Sequence, residues 1–264
     1  MISTGEQMNN KWAVILGASS GFGSATALEL ARKGLNIVGV HLDRKSTLAN
    51  VDKLKTQLDE IGVSHRFFNV NAADEEKRTY VLNEISDLKE SIWVLMHSIA
   101  FGALKPFTDA NDPISPKQIE MTLDVMAHSL IYWARDLVNN QYFSPQGGRI
   151  FTMTSAGSSR MWPSYGAVSA AKCALESHTR QLAIELATKK ISANSILAGV
   201  TNTAALKKIP GNEDMIKWAE STNPSGRMTT PEDIAQMIAQ LSYPGLEFCT
   251  GNVIRVDGGE NIMG

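Results

Sequence analysis

Trp12-Ala13-Val14-Ile15-Leu16 runs into Gly17-Ala18-Ser19-Ser20-Gly21-Phe22-Gly23 and then into Ser24-Ala25-Thr26-Ala27-Leu28. Five apolar residues in a row suit a strand covered on both faces, and the last five open a helical pattern. The glycines between them permit a sharp turn and a close approach of backbone to a ligand. The free amides and dipole of the following helix attract a pyrophosphate there. Ser19 and Ser20 add hydroxyl contacts. The same glycines serve equally in a plain strand-to-helix turn, and it is their place between the first strand and the first helix that points to a nucleotide.

Working outward, short apolar runs alternate with amphipathic ones to the end of the chain, the pattern of repeated βαβ units. Strands are expected at Trp12–Leu16, Asn36–Leu42, His65–Val70, Ile92–His97, Arg149–Thr154, Ser192–Leu197 and Asn252–Val256. Helices are expected at Gly23–Lys33, Thr47–Ile61, Glu75–Leu88, Pro116–Asn139, Ala167–Thr188 and Pro231–Leu241. Seven strands and six helices make one doubly wound, Rossmann-type α/β domain over residues 1–264, with a parallel sheet and helices on both faces. Thr201–Arg227 is long, mixed in polarity and follows a strand end. It is expected to be a substrate lid, because ligands of open parallel sheets bind beyond the carboxyl ends of the strands.

Composition narrows the partners. The chain has 264 residues, 43% of them apolar, and a net charge of -2, so it carries no basic footprint for nucleic acid and no polybasic membrane anchor. Cys173 and Cys249 stand apart without metal-ligand spacing, so neither a disulfide framework nor a metal site is expected. Met1–Asn10 lacks the pattern of a signal peptide and no run reaches the length of a membrane span, which predicts a cytoplasmic protein.

The second strand ends at His41-Leu42-Asp43-Arg44-Lys45. An acidic residue here accepts hydrogen bonds from an adenosine ribose, as in NAD(H), whereas basic residues pair with the 2'-phosphate of NADP(H). Both are present. Arg44 and Lys45 favour NADP(H), with NAD(H) as the alternative through Asp43.

The chemistry is expected at Thr154-Ser155-Ala156-Gly157 and at Tyr165-Gly166-Ala167-Val168-Ser169-Ala170-Ala171-Lys172, where Tyr165 and Lys172 read alone as a packed aromatic and a solvated charge and, beside the glycine loop, as a reactive pair. Seven residues at about 100° each return Lys172 to nearly the helical face of Tyr165, roughly 10 Å further on. Side chains lean toward the helix start, so the ammonium reaches back toward the phenol with room for a nicotinamide ribose between them. Positive charge nearby lowers a phenol's pKa from about 10 and makes it a usable proton donor.

These features together resemble the short-chain dehydrogenase/reductases over nearly the whole chain: the loop at Gly17, Gly21 and Gly23, the Tyr165 helix, Ala198-Gly199, and Val256-Asp257-Gly258-Gly259. Most members carry lysine four residues after the tyrosine, where this chain has Ser169. The longer spacing to Lys172 and the segment His97-Ser98-Ile99-Ala100-Phe101 are similar to the enoyl-acyl-carrier-protein reductases. Ala204–Lys207, Ile209–Asp214 and Pro224–Met228 resemble the NADPH-dependent third bacterial type.

The resemblance implies hydride transfer from the nicotinamide to the β-carbon of a 2-enoyl thioester, with Tyr165 bonding the carbonyl oxygen and Lys172 holding the ribose. It places Thr154 at the catalytic serine and Ser155 where many enoyl reductases carry a second tyrosine. It assigns Asn69-Val70 to the adenine, Phe22, Ser98, Ile99 and Ala100 to the cofactor's surroundings, and Leu197, Gly199, Val200, Thr201 and Thr203 to the carboxamide end. The threonines also suit helix capping. His128 stands at the family's asparagine or is a packed helix histidine. Trp162, Phe101 and the methionines line an acyl channel or belong to the core. The implied partners are an acyl-carrier-protein-bound or small enoyl substrate and three further copies in a homotetramer. A carbonyl or 3-oxoacyl reductase is the nearest alternative, and a non-catalytic cofactor sensor a more distant one.

Overall fold

The computed structural model describes residues 8–263, so the reading of the extreme N-terminus as free of a targeting segment falls partly outside the described residues. Seven parallel strands form one sheet in the order β3-β2-β1-β4-β5-β6-β7. They are β1 (Trp12–Leu16), β2 (Asn36–His41), β3 (His65–Asn69), β4 (Ile92–His97), β5 (Gly148–Ser155), β6 (Ile191–Ala198) and β7 (Val253–Val256). Each lies within two residues of its expected position. The helices are α1 (Gly21–Arg32), α2 (Leu48–Ile61), α3 (Glu75–Glu84), α4 (Pro116–Leu123), α5 (Ser129–Asn139), α6 (Gly166–Glu185), α7 (Asn212–Thr222) and α8 (Pro231–Leu241).

The strand period sorts side chains between two cores. Trp12, Val14 and Leu16 of β1 pack with Leu130 and Trp133 of α5 and Leu175 of α6. Ala13 and Ile15, pointing the other way, pack with Leu30 of α1, Leu58 of α2 and Ile238 of α8. Burial on both faces explains why β1 and β4 are apolar almost throughout.

Two helical expectations need correction. Pro116–Asn139 is not one uniform α-helix, because Asp124–His128 forms a π-helical turn between α4 and α5. Ser129 Oγ donates to the Val125 carbonyl at 2.8 Å, a side-chain bond that accompanies this widened turn. Glu75–Leu88 likewise breaks at Ile85 into α3 and a 3-10 turn at Ser86–Leu88. The expected lid contains a helix the pattern did not reveal, α7, which buries only Ala219 completely. So narrow a contact face leaves little apolar periodicity to read.

Three loops meet at the carboxyl edge of the sheet, and glycine makes the meeting possible. Gly17 has φ 90°, and a Cβ there would lie 2.2 Å from the Ser98 carbonyl oxygen. A Cβ on Gly23 would lie 2.1 Å from the Gly17 carbonyl oxygen. We expect Gly17→Ala to lower the unfolding free energy by roughly 2 kcal/mol or more, since left-handed backbone and overlap with fixed backbone add together. Urea denaturation checks this through a lower midpoint at an unchanged slope.

Candidate active site

The loop Gly17–Ser20 and the start of α1 form the floor of the carboxyl edge. Ser20 caps α1 without a side-chain hydrogen bond to it, so the first-turn amides stay open to a ligand. The β6 loop lies above, with the Thr203 methyl 3.6 Å from where a Gly21 Cβ would stand. Thr201 Oγ1 donates to the Gly199 carbonyl at 3.0 Å, and Thr203 Oγ1 accepts from the Leu206 amide at 3.2 Å. These are bonds within the loop and not helix caps, since the 3-10 turn Leu206–Lys208 starts after Ala205 without a side-chain cap. Ser98, Ile99 and Ala100 follow β4 into the same space.

At the end of β2, Asp43 accepts from or shares a proton with His41 Nδ1 at 2.9 Å. Hydrogen bonds from Thr47, Ser19 and His41 outweigh burial and hold the Asp43 carboxyl below the usual carboxylate range, although burial alone would raise it. The carboxylate therefore faces the glycine loop through Ser19. Arg44 and Lys45 are exposed and have no acidic partner among the described residues. Asn69, expected at the adenine, also braces the β2 turn. Its Oδ1 accepts from the Asp43 amide at 2.9 Å and its Nδ2 donates to the Asp43 carbonyl at 3.0 Å, which leaves one N–H and one lone pair of the amide for a ligand. Val70 packs against the core.

Tyr165 is the N-cap of α6 and follows Ser164, whose φ of 62° is left-handed. This strained turn points the phenol into a cavity of about 490 Å³ shared with Lys172, Ser155, Phe22 and Gly199. Burial pushes the Tyr165 phenol up, while a hydrogen bond with Ser155 pulls it down. The net direction is upward, against the expectation that Lys172 would lower it. The reason is placement: Lys172 is buried and its Nζ donates to the Met153 carbonyl at 2.7 Å. Burial brings Lys172 down to about 8, and Glu176, one turn later on α6, opposes that fall.

Thr154 and Ser155 both line the cavity, but their hydroxyls have different partners. Thr154 Oγ1 donates to Glu176 Oε1 at 2.6 Å, so its hydroxyl serves the carboxylate beside Lys172. Ser155 is the hydroxyl beside the phenol. Strand alternation explains this, because adjacent residues of β5 face opposite sides at its end. Glu176 itself gave no signal in the sequence beyond its i,i+4 spacing from Lys172. His97 is fully buried and held neutral, down to about 3, by burial first and the Lys172 charge second. Its Nε2 meets Ser129 Oγ at 2.8 Å. His128 takes the packed alternative, with Nδ1 3.0 Å from His178 Nε2.

The segment expected to be a lid roofs the cavity. Trp162 Nε1 donates to the Pro210 carbonyl at 2.8 Å, and the Arg160 guanidinium stacks over Trp218 of α7 at 5.2 Å. Leu206, Ile209 and Met215 line the roof, with Phe101 at the β4 side. The walls are thus apolar while the polar groups gather at Tyr165, the arrangement of a site for a mainly apolar ligand with one polar reacting end. Among the described residues no cluster of ligands could hold a metal ion, and no helix is long and apolar enough to cross a membrane.

Comparison with known proteins agrees with this geometry. The chain is similar to "Enoyl-[acyl-carrier-protein] reductase [NADH] FabI" of Aquifex aeolicus, with 30% identity over 174 residues, 66% of this chain and 64% of that relative. That alignment spans just under two thirds of the relative's length. It is also similar to "1-cyclohexenylcarbonyl-CoA reductase" of Streptomyces collinus, with 27% identity over 253 residues, 95% of this chain and 87% of the relative. The crystal structure of the Aquifex aeolicus enoyl reductase superposes with a TM-score of 0.84 at 24% identity, covering 97% of this chain and 98% of that one, a likeness of fold. The family model described as "Enoyl-(Acyl carrier protein) reductase" matches residues 17–261. The chain belongs to this enoyl-(acyl carrier protein) reductase family of the short-chain dehydrogenase/reductases.

Proposed function

We propose that this protein reduces the carbon–carbon double bond of a 2-enoyl thioester, using a nicotinamide dinucleotide bound along the carboxyl edge of the sheet. The observation that carries the reading is the group of half-buried Tyr165 and Ser155 with buried Lys172 at the polar end of an apolar, roofed cavity beside the glycine loop. The dinucleotide fits the residues present, since glycine at 17 and 23 lets the loop pack backbone against backbone, Gly21 puts no side chain between the loop and Thr203, and the α1 amides carry no side-chain cap and can meet an anion. When bound, the cofactor supplies the hydride that the β-carbon receives.

The chain's own residues do the rest. Tyr165 keeps its proton at neutral pH, because burial raises its pKa, and hydrogen-bonds the thioester carbonyl as charge collects on that oxygen. Ser155 orients the phenol. Lys172 holds the ribose and adds positive charge behind the tyrosine, while Glu176, fixed by Thr154, keeps the ammonium charged. Thr201 and Thr203 shape the backbone that receives the carboxamide. The apolar roof excludes water from the reacting carbons and moves aside to admit substrate.

Reduction of a 3-oxoacyl thioester is the second reading, and Ser155 favours it, since a small hydroxyl beside the phenol also suits an alkoxide. Consumption of reduced cofactor with 3-oxoacyl but not 2-enoyl thioesters would establish it over the first. For the cofactor, we favour NADPH on the strength of the unpaired Arg44 and Lys45. The Asp43 carboxylate turned toward Ser19 supports NADH, the cofactor named for the Aquifex aeolicus relative. The ratio of kcat/KM for NADPH and NADH decides, and a preference for NADH overturns our choice.

Tyr165→Phe is expected to lower kcat by about 100-fold or more while leaving cofactor affinity within about threefold, as measured by steady-state kinetics and fluorescence titration. The rate is also expected to fall as pH rises through about 8, where Lys172 loses its proton. Glu176→Gln removes the carboxylate that raises the lysine pKa, so this alkaline limb shifts to lower pH. An unmoved limb in the pH–rate profile shows that Glu176 does not act on Lys172.

A further inference from the structure

Glu260 belongs to the short turn Glu260–Ile262 after β7, far in sequence from every residue assigned a role above. It is 1% exposed and yet lines the cavity that holds Tyr165 and Lys172. Both carboxylate oxygens accept from the Val200 amide at 3.1 Å. A Cβ added to Gly199 would stand 2.9 Å from Glu260 Oε2, so nothing but a glycine hydrogen separates this carboxylate from the wall of the site. A buried carboxylate is expensive to keep unless its charge does something for the molecule that offsets desolvation.

The surroundings define that charge. Asp257 lies in the same C-terminal segment, and the Glu260 amide donates to its carbonyl at 3.1 Å. Arg160 comes from the segment before Tyr165, where it donates to the Asn261 carbonyl at 3.4 Å. Asn223, at the end of α7, and Thr229 complete the shell with uncharged groups. Burial and Asp257 raise the Glu260 pKa, whereas the Val200 amide, Arg160 and Asn223 lower it, with burial the largest effect. Lys172 lines the same cavity with its ammonium turned to the Met153 carbonyl.

We propose that Glu260 is a functional residue of the nicotinamide end of the site, whose carboxylate behind Gly199 and Val200 favours the oxidised, positively charged ring over the reduced, neutral one. The inference rests on the dinucleotide binding proposed above. It adds that the protein itself biases the bound cofactor toward giving up its hydride, because the ring gains one positive charge when two electrons and the hydrogen nucleus leave it together. In a water-poor cavity a nearby unit charge alters such a balance by much more than it would in solvent.

The test compares binding, without turnover. The full-length chain and its Glu260→Gln variant are titrated with the oxidised and reduced forms of the same dinucleotide, following tryptophan fluorescence. Glu260→Gln should weaken the oxidised form roughly tenfold while leaving the reduced form within about twofold. Equal loss for both forms, or no change, overturns the proposal and leaves Glu260 as a strut for the Val200 loop. If Glu260→Gln does not fold, Glu260→Met, a second neutral replacement of similar length, is titrated at the same single pH, and the affinity for the oxidised form relative to the reduced form should again fall roughly tenfold. An unchanged ratio overturns the proposal. A wild-type chain that binds neither form removes the proposed function, and this inference with it, which separates that failure from failure of the Glu260 assignment alone.

Discussion

A lysine ammonium held out of water is the constraint around which this structure is arranged. Desolvation disfavours the charged form, and Lys172 is accordingly brought down to about 8. Two features oppose that loss. The Met153 carbonyl accepts directly from Nζ, and Glu176 stands one turn away with an oxygen fixed by Thr154. Both partners depend on the register of α6 against the end of β5, so two consecutive β5 residues and two α6 residues i,i+4 apart form one electrostatic unit. His97, on the adjacent strand, stays neutral next to this charge because burial and the ammonium act in the same direction.

The cavity uses the same economy of placement. Its floor is backbone, made narrow enough by glycine that three loops nearly touch, and its roof is aromatic and aliphatic. Polar groups are confined to the region between them. In such a space the low local dielectric strengthens every charge and hydrogen bond that remains, so a few well-placed groups suffice to steer chemistry. The apolar roof does not select a head group. It selects against water.

Much of this was legible in the sequence because it is periodic. The strands β1 and β4 carry near-continuous apolar runs, and the glycine loop sits where a strand becomes a helix, so fold and nucleotide end follow from local pattern. Tyr165 and Lys172 follow from helical geometry. What the pattern could not show depends on contacts across the fold. The direction of the Thr154 hydroxyl is decided by Glu176, and the use of the Asn69 amide by the β2 turn. Helix α7 is anchored by Trp162 and Arg160, residues some fifty positions earlier, and not by a stripe of its own. The π-helical turn at Asp124–His128 has no propensity signature at all. Glu260 reads as one more acid near a chain end until burial and the Val200 amide give it a setting.

The bonds from Trp162 to Pro210 and from Arg160 to Trp218 tie the roof to the few residues that lead into Tyr165 through the left-handed Ser164. Roof and phenol therefore share a single hinge arm. In the proposed reaction, displacing one would tug the other: a molecule lifting the cover on entering would disturb the phenol, whose alignment would return as the cover settled back over its guest. For the chemistry proposed here, timing would then rest with the loop between β5 and α6.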